Sequence, residues 1–185
     1  MKRLPVFGAL FFGVLTAVAV VADSNSPFSL YVDEAGAISV PKDYRTKWTF
    51  LGSWSIAAKK GDPRGAAGLH NVYTQPGIVE AFRKIGKFPD GAVLVKELLK
   101  TKTGSMTTGQ VSRGDEIEGW FVMIKDTQRR FKGNKLWGDG WGWAFFKAGD
   151  STNTITRDYK AECIGCHIPA KQTDWVYTQG YPSLK

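Results

Sequence analysis

Cysteine and histidine are almost absent from this chain: its 185 residues include two of each. A structural zinc site wants four Cys or His ligands, so it would consume every one of them. Two cysteines permit a single disulfide at most, which excludes a fold held together by cystines. There is no internal repeat and no convincing linker, so the chain reads as one domain. Nothing after residue 23 resembles a membrane span. No basic run is interleaved with aromatics, which leaves nucleic acid without its usual electrostatic footprint.

What is plentiful is aromatic and positive. Aromatic residues make up 13% of the chain, with 7 Trp and 11 Phe, and hydrophobic residues 43%. That composition excludes a disordered chain and suits both a packed core and the walls of a cofactor pocket. The formal net charge is +8. A basic surface suits an acidic redox partner or an anionic ligand, and equally serves solubility.

The N-terminus reads as an export signal. Lys2 and Arg3 precede an apolar or small stretch from Leu4 to Ala22, and Val20-Val21-Ala22 offers a small-residue cleavage site before Asp23. The competing reading is an uncleaved anchor, since the stretch approaches the ~20 residues that span a bilayer. Pro5, Gly8 and Gly13 interrupt it, which favours cleavage. Either way the folded part is expected outside the cytoplasm, in bacterial terms the periplasm. The organisation is then a signal over 1–22, a lead-in over 23–39 and one domain over 40–185.

Pattern places strands over Trp48–Ala57, Leu69–Thr74, Ala92–Leu99, Ile117–Asp126 and Gly138–Ala148, with basic and polar loops over 59–68 and 101–114. In the last strand Trp141, Trp143 and Phe145 alternate with Gly142 and Ala144. Pro41–Lys47 suits a short helix or turn. Pro76 opens a helix in which Ile78, Val79, Phe82 and Ile85 keep helical spacing up to Gly86. Strands dominate, so the expected class is α+β, mainly antiparallel sheet with a few short helices.

The chemistry concentrates near the C-terminus, in Cys163-Ile164-Gly165-Cys166-His167. Cys-x-x-Cys-His is the attachment signature of c-type haem. On a helical turn, positions i, i+3 and i+4 share one face, so two sulfurs and an imidazole can meet one flat cofactor. Each thiol can add to a haem vinyl group, and the imidazole can bind iron. Three readings compete with it. A redox dithiol belongs early, in a βαβ unit. A zinc site would have to recruit His70. The plainest is a disulfide, or two core cysteines beside a chance histidine. The position of the motif and the export signal together favour one haem c, with Cys163 and Cys166 as attachment points and His167 as the axial iron ligand.

From about Val40 to Lys185 the chain resembles the cytochrome P-460 family, which includes the cytochromes c′-beta. The resemblance is carried by Pro41-Lys42-Asp43-Tyr44-Arg45, Asn71-Val72-Tyr73 and Phe88-Pro89-Asp90-Gly91 with Val95-Lys96-Glu97-Leu98. It continues in Lys125-Asp126-Thr127-Gln128-Arg129, Gly142-Trp143-Ala144-Phe145, the Cys163–His167 motif, Thr173-Asp174 and Tyr181-Pro182. It implies a mostly antiparallel β protein, commonly a periplasmic homodimer, whose five-coordinate haem meets small nitrogen species. Some members join a lysine covalently to the porphyrin edge and oxidise hydroxylamine to nitrous oxide or nitric oxide. Members without that bond bind nitric oxide and related gases.

Lys96 matches the cross-linking lysine. On a strand it shares a face with Leu94 and Leu98, while Val93, Val95 and Glu97 point the other way. A lysine among leucines either sheds its charge or snorkels to water. Hydroxylamine-oxidising members use a distal carboxylate as proton acceptor. Near that position this chain has Phe121, an apolar distal wall, with Glu116 and Glu118 close in sequence. His70 suits a haem propionate, a pocket hydrogen bond or a sixth iron ligand, but an ordinary strand histidine fits as well. Met106 and Met123 are possible sixth ligands, as in electron-transfer cytochromes c, or simple gap-fillers. Arg129, Arg130 and Lys135 could pair with propionates. Three functions follow: hydroxylamine oxidation with electrons passed to a partner protein, gas binding without turnover, and plain electron transfer.

Overall fold

The structure is a computed structural model that describes residues 28–62 and 65–185. The expected signal over 1–22 lies outside the described residues. Six antiparallel strands form one sheet: β1 (Thr49–Ala57), β2 (Ala66–Thr74), β3 (Val93–Met106), β4 (Gly109–Lys125), β5 (Trp137–Gly138) and β6 (Trp141–Lys147), in spatial order β1-β2-β3-β4-β6-β5. Among the described residues four short helices accompany it: α1 (Tyr44–Lys47), α2 (Ile78–Ile85), α3 (Tyr159–Glu162) and α4 (Ile164–His167). This is the expected α+β class. Among the described residues no helix is long and apolar enough to cross a membrane.

Strand alternation sorts the side chains onto two faces. Val93, Val95, Val122, Ile124 and Phe146 point to one side, where Ile38, Val40, Tyr44 and Trp137 cover them. The lead-in expected over 23–39 therefore packs on the sheet from residue 28 onward, with Ile38 fully buried. Leu94, Met123, Trp141 and Trp143 point to the other side, under α2, Phe88 and the C-terminal segment through Leu184. That segment runs in 3₁₀ turns over Ile168–Thr173, Thr178–Gly180 and Pro182–Leu184.

Two expected elements differ. The loop over 101–114 is instead a two-stranded ribbon: β3 and β4 stay paired from Thr101↔Gly114 out to Met106↔Gly109. Thr101, Thr103 and Val111 supply β-branched residues, and the ribbon is polar on both faces because little packs on it. The strand expected over Gly138–Ala148 is a hairpin, in which Asp139 and Gly140 turn β5 into β6 with φ of 54° and 81°. Both central residues left-handed is the Asp-Gly hairpin turn, whose twist matches the strands it joins.

Candidate functional site

A cavity of ≈210 Å³ opens between the Leu94–Met123–Trp143 face of the sheet and the C-terminal helices. Cys163, Cys166 and His167 line it from the helical side, and Lys96 and Phe121 from the sheet. The motif does not form one continuous helix. Cys163 breaks it at φ −120° and ψ −46°, ending α3 and preceding α4. Asp158 caps α3 by accepting the Lys160 N–H at 3.0 Å, and Tyr159 anchors it in the core. Cys163 is buried and Cys166 exposed, and neither is in a disulfide. Burial raises the Cys163 thiol to about 11, so it rests protonated.

His167 is held on three sides. Its Nδ1–H donates to the Trp175 carbonyl at 2.7 Å. The Trp143 ring meets the imidazole edge-on, with centroids 4.9 Å apart, and Tyr177 lies beyond at 6.1 Å. The Nδ1 bond leaves the Nε2 lone pair as the donor, the arrangement metal-binding imidazoles need. Burial lowers the His167 pKa and so favours the neutral ring. The Tyr177 hydroxyl donates to the Cys166 carbonyl at 2.6 Å, fastening the motif to the tail.

Across the cavity, β3 and β4 place Lys96 directly opposite Phe121. The Lys96 Nζ stands 4.5 Å from the centre of that ring, and Phe121 stacks on Phe145 of β6 at 4.4 Å. Burial lowers the Lys96 pKa, while negative charge on Cys166, and then on Cys163, would pull the other way. The amine therefore lies within electrostatic reach of both candidate attachment points. Leu94 lines the same cavity, as the alternation of β3 requires, and Glu97 points to the opposite face. There Glu97, 1% exposed, accepts from the Tyr44 hydroxyl, from Arg45 Nε at 2.5 Å and from Asn71 Nδ2 at 3.4 Å.

The other sequence candidates are distributed as follows. His70 is on the same side of β2 as Val72, half-buried and outside the cavity lining; burial and then Lys96 hold its pKa down at about 4. Met123 lines the cavity, whereas Met106 is exposed near the ribbon tip. Glu116 pairs with Lys100 on the ribbon, and Glu118 is not in the lining. Arg130 is committed to Asp90 and Asp126, Lys135 lies 3.9 Å from Asp158, and Arg129 lines a separate small cavity beside Asp126. Among the described residues the one carboxylate in the main lining, Glu162, sits next to Cys163 and accepts the Arg157 and Asp158 N–H groups. Sequence reading did not single out Trp175, Tyr177 or Trp143 as contributors to the site. The adjacency of Trp175 and Tyr177 to the tail motif was the available signal.

The donor set fits a haem. Two unpaired thiols and one oriented imidazole share a cavity with largely aromatic and aliphatic walls, as a flat apolar macrocycle requires. Among the described residues no group of three or more Cys, His, Asp or Glu side chains could hold a metal by itself. The protein thus offers an axial donor rather than a cage. No curated protein matches the chain. The family model for Cytochrome P460 matches residues 41–178, which takes in every wall of the cavity except Tyr181. The chain belongs to the Cytochrome P460 family and is a c-type cytochrome of that family.

Proposed function

We propose that the protein is a periplasmic monohaem cytochrome, exported by its 1–22 signal, that oxidises hydroxylamine to nitrous oxide or nitric oxide. Cys163 and Cys166 would hold one haem c through thioether bonds, and His167 Nε2 would supply a nitrogen donor to its iron. Each attachment would be an addition: sulfur bonding to one vinyl carbon, the thiol proton ending on the other, with no oxidant consumed. When bound, the haem would supply an iron able to bind a small nitrogen species and exchange electrons.

The residues around it do the rest. Trp175 and Trp143 fix the imidazole plane. Phe121, stacked on Phe145, makes the opposite wall apolar. Lys96, biased by burial towards its neutral form, lines the same cavity and would lie beside the edge of a bound porphyrin. Oxidation of hydroxylamine releases electrons and protons in equal number, so a redox partner protein takes the electrons and solvent the protons. A homodimer is the expected assembly.

The observation that carries this reading is that Lys96 shares one cavity with both thiols and His167. A second reading, nitric oxide binding without turnover, is favoured by the Phe121–Phe145 wall, which offers no proton acceptor. The test is a visible spectrum and intact mass of the ferrous protein, followed by hydroxylamine turnover with an artificial electron acceptor. A red-shifted ferrous band with nitrous or nitric oxide production supports the enzyme. An ordinary ferrous c-type spectrum, avid nitric oxide binding and no turnover support the gas binder. A six-coordinate low-spin ferric spectrum that resists nitric oxide would exclude both.

A further inference from the structure

Asp174 and Trp175 are consecutive residues in the left-handed region, with φ of 59° and 66°. Aspartate tolerates that conformation, but a bulky residue such as tryptophan is a true outlier there. Such strain persists only where the surroundings over-determine it.

The determinants converge on Asp174. Its Oδ1 pairs with Lys125 Nζ at 2.5 Å, both side chains being 10% exposed. Its Oδ2 accepts the Phe88 N–H at 3.1 Å. Its backbone carbonyl accepts Trp141 Nε1–H at 3.0 Å. One residue further on, the Trp175 N–H donates to Ala170 at 2.8 Å and the buried Trp175 ring meets Trp143 edge-on. What this turned backbone delivers is the Trp175 carbonyl, 2.7 Å from His167 Nδ1.

We propose that the Lys125–Asp174 ion pair is a positioning device: it locks the left-handed Asp174–Trp175 backbone so that the Trp175 carbonyl holds His167 in one tautomer and one ring orientation. The pair comes from strand β4 and the C-terminal tail, so it couples the sheet to the axial donor although neither side chain touches the imidazole. A buried ion pair of this kind contributes little net stability against an apolar replacement, but losing one partner strands the other charge. Its value here is geometric. A strong acceptor on Nδ1–H raises the basicity of Nε2, and outer partners of this type commonly tune a ligand's hold on metal by about 10–100-fold.

This inference rests on the haem reading, and the two fail differently. Wild-type protein, Lys125→Met, Lys125→Arg and Asp174→Asn are matured in a haem-attaching host. The readouts are the ferrous iron–histidine stretch by resonance Raman, the midpoint potential and the melting temperature. Asp174→Asn strands Lys125 as Lys125→Met strands Asp174, but it keeps a side chain that suits the left-handed backbone and can accept the Phe88 N–H, while Lys125→Arg keeps the pair itself. The expected result is a lowered iron–histidine stretch and a raised midpoint potential in Asp174→Asn and Lys125→Met, both largely restored in Lys125→Arg. Variants that lose melting temperature while stretch and potential stay at the wild-type values would show the pair to be merely structural and overturn the inference. A colourless wild-type protein would overturn the haem reading itself, and this inference with it.

Discussion

Replacing Phe121 by glutamate places a carboxylate on the wall that lacks one. Phe121 is the direct cross-strand partner of Lys96, whose Nζ already stands 4.5 Å from the ring centre. With Lys96 protonated, two unit charges ~4 Å apart attract by about 4 kcal/mol at an effective dielectric of ~20, and with Lys96 neutral that attraction is absent. Desolvation of both groups offsets most of that. Losing the stacked Phe121–Phe145 pair removes about 0.5–1.5 kcal/mol. We therefore expect a folded but mildly destabilised protein. The kinetic effect should be larger: a positioned general base contributes about 10²–10⁴-fold, or about 2.7–5.4 kcal/mol of barrier at ~1.36 kcal/mol per decade. The assay is nitrous and nitric oxide production from hydroxylamine with an artificial electron acceptor, comparing Phe121→Glu, Phe121→Gln and wild type. Glutamine reproduces size and polarity without the proton-accepting carboxylate. Equal rates for the two variants, or no gain from glutamate, would refute the idea that a missing proton acceptor limits oxidation.

Three further outcomes can be measured. Cys163→Ser/Cys166→Ser protein should surrender all its haem to acid acetone while the wild type keeps it; retained pigment in the double variant would disprove thioether attachment. Glu97→Gln should lower stability by about 1–3 kcal/mol in urea denaturation, because Tyr44, Arg45 and Asn71 lose a charged common acceptor inside the opposite face; a change below ~0.5 kcal/mol would show the cluster to be dispensable. His70, with its pKa held at about 4 in the fold and near ~6.5 when unfolded, binds protons more readily in the unfolded chain. Its contribution to stability is complete above ~6.5 and is lost as pH falls towards 4, so His70→Gln should flatten that part of the stability–pH profile; an unchanged slope would exclude His70 as its source.

Much of the sheet was legible because its signal is local. Alternation in Val93-Leu94-Val95-Lys96-Glu97 assigned opposite faces to Lys96 and Glu97, and the strand geometry obeys it. The ribbon beyond Thr101 was less legible because an exposed two-stranded element carries no hydrophobic period. The Asp139-Gly140 turn was overlooked inside a run of tryptophans and glycines whose alternation read as one strand.

The sequence alone determined the chemistry of the donors: two thiols and an imidazole in Cys163–His167, with the family pattern around them. It could do so because the proposed thioether attachment would demand fixed spacing along the chain. Only the tertiary structure decided that Lys96 and Phe121 face those donors, since they come from different strands and meet the motif through long-range packing. It alone decided that the Trp175 carbonyl holds His167 and that Lys125, some fifty residues upstream, secures that carbonyl through Asp174. Both effects arise from a left-handed backbone stabilised by distant partners, and no local sequence preference could have announced it.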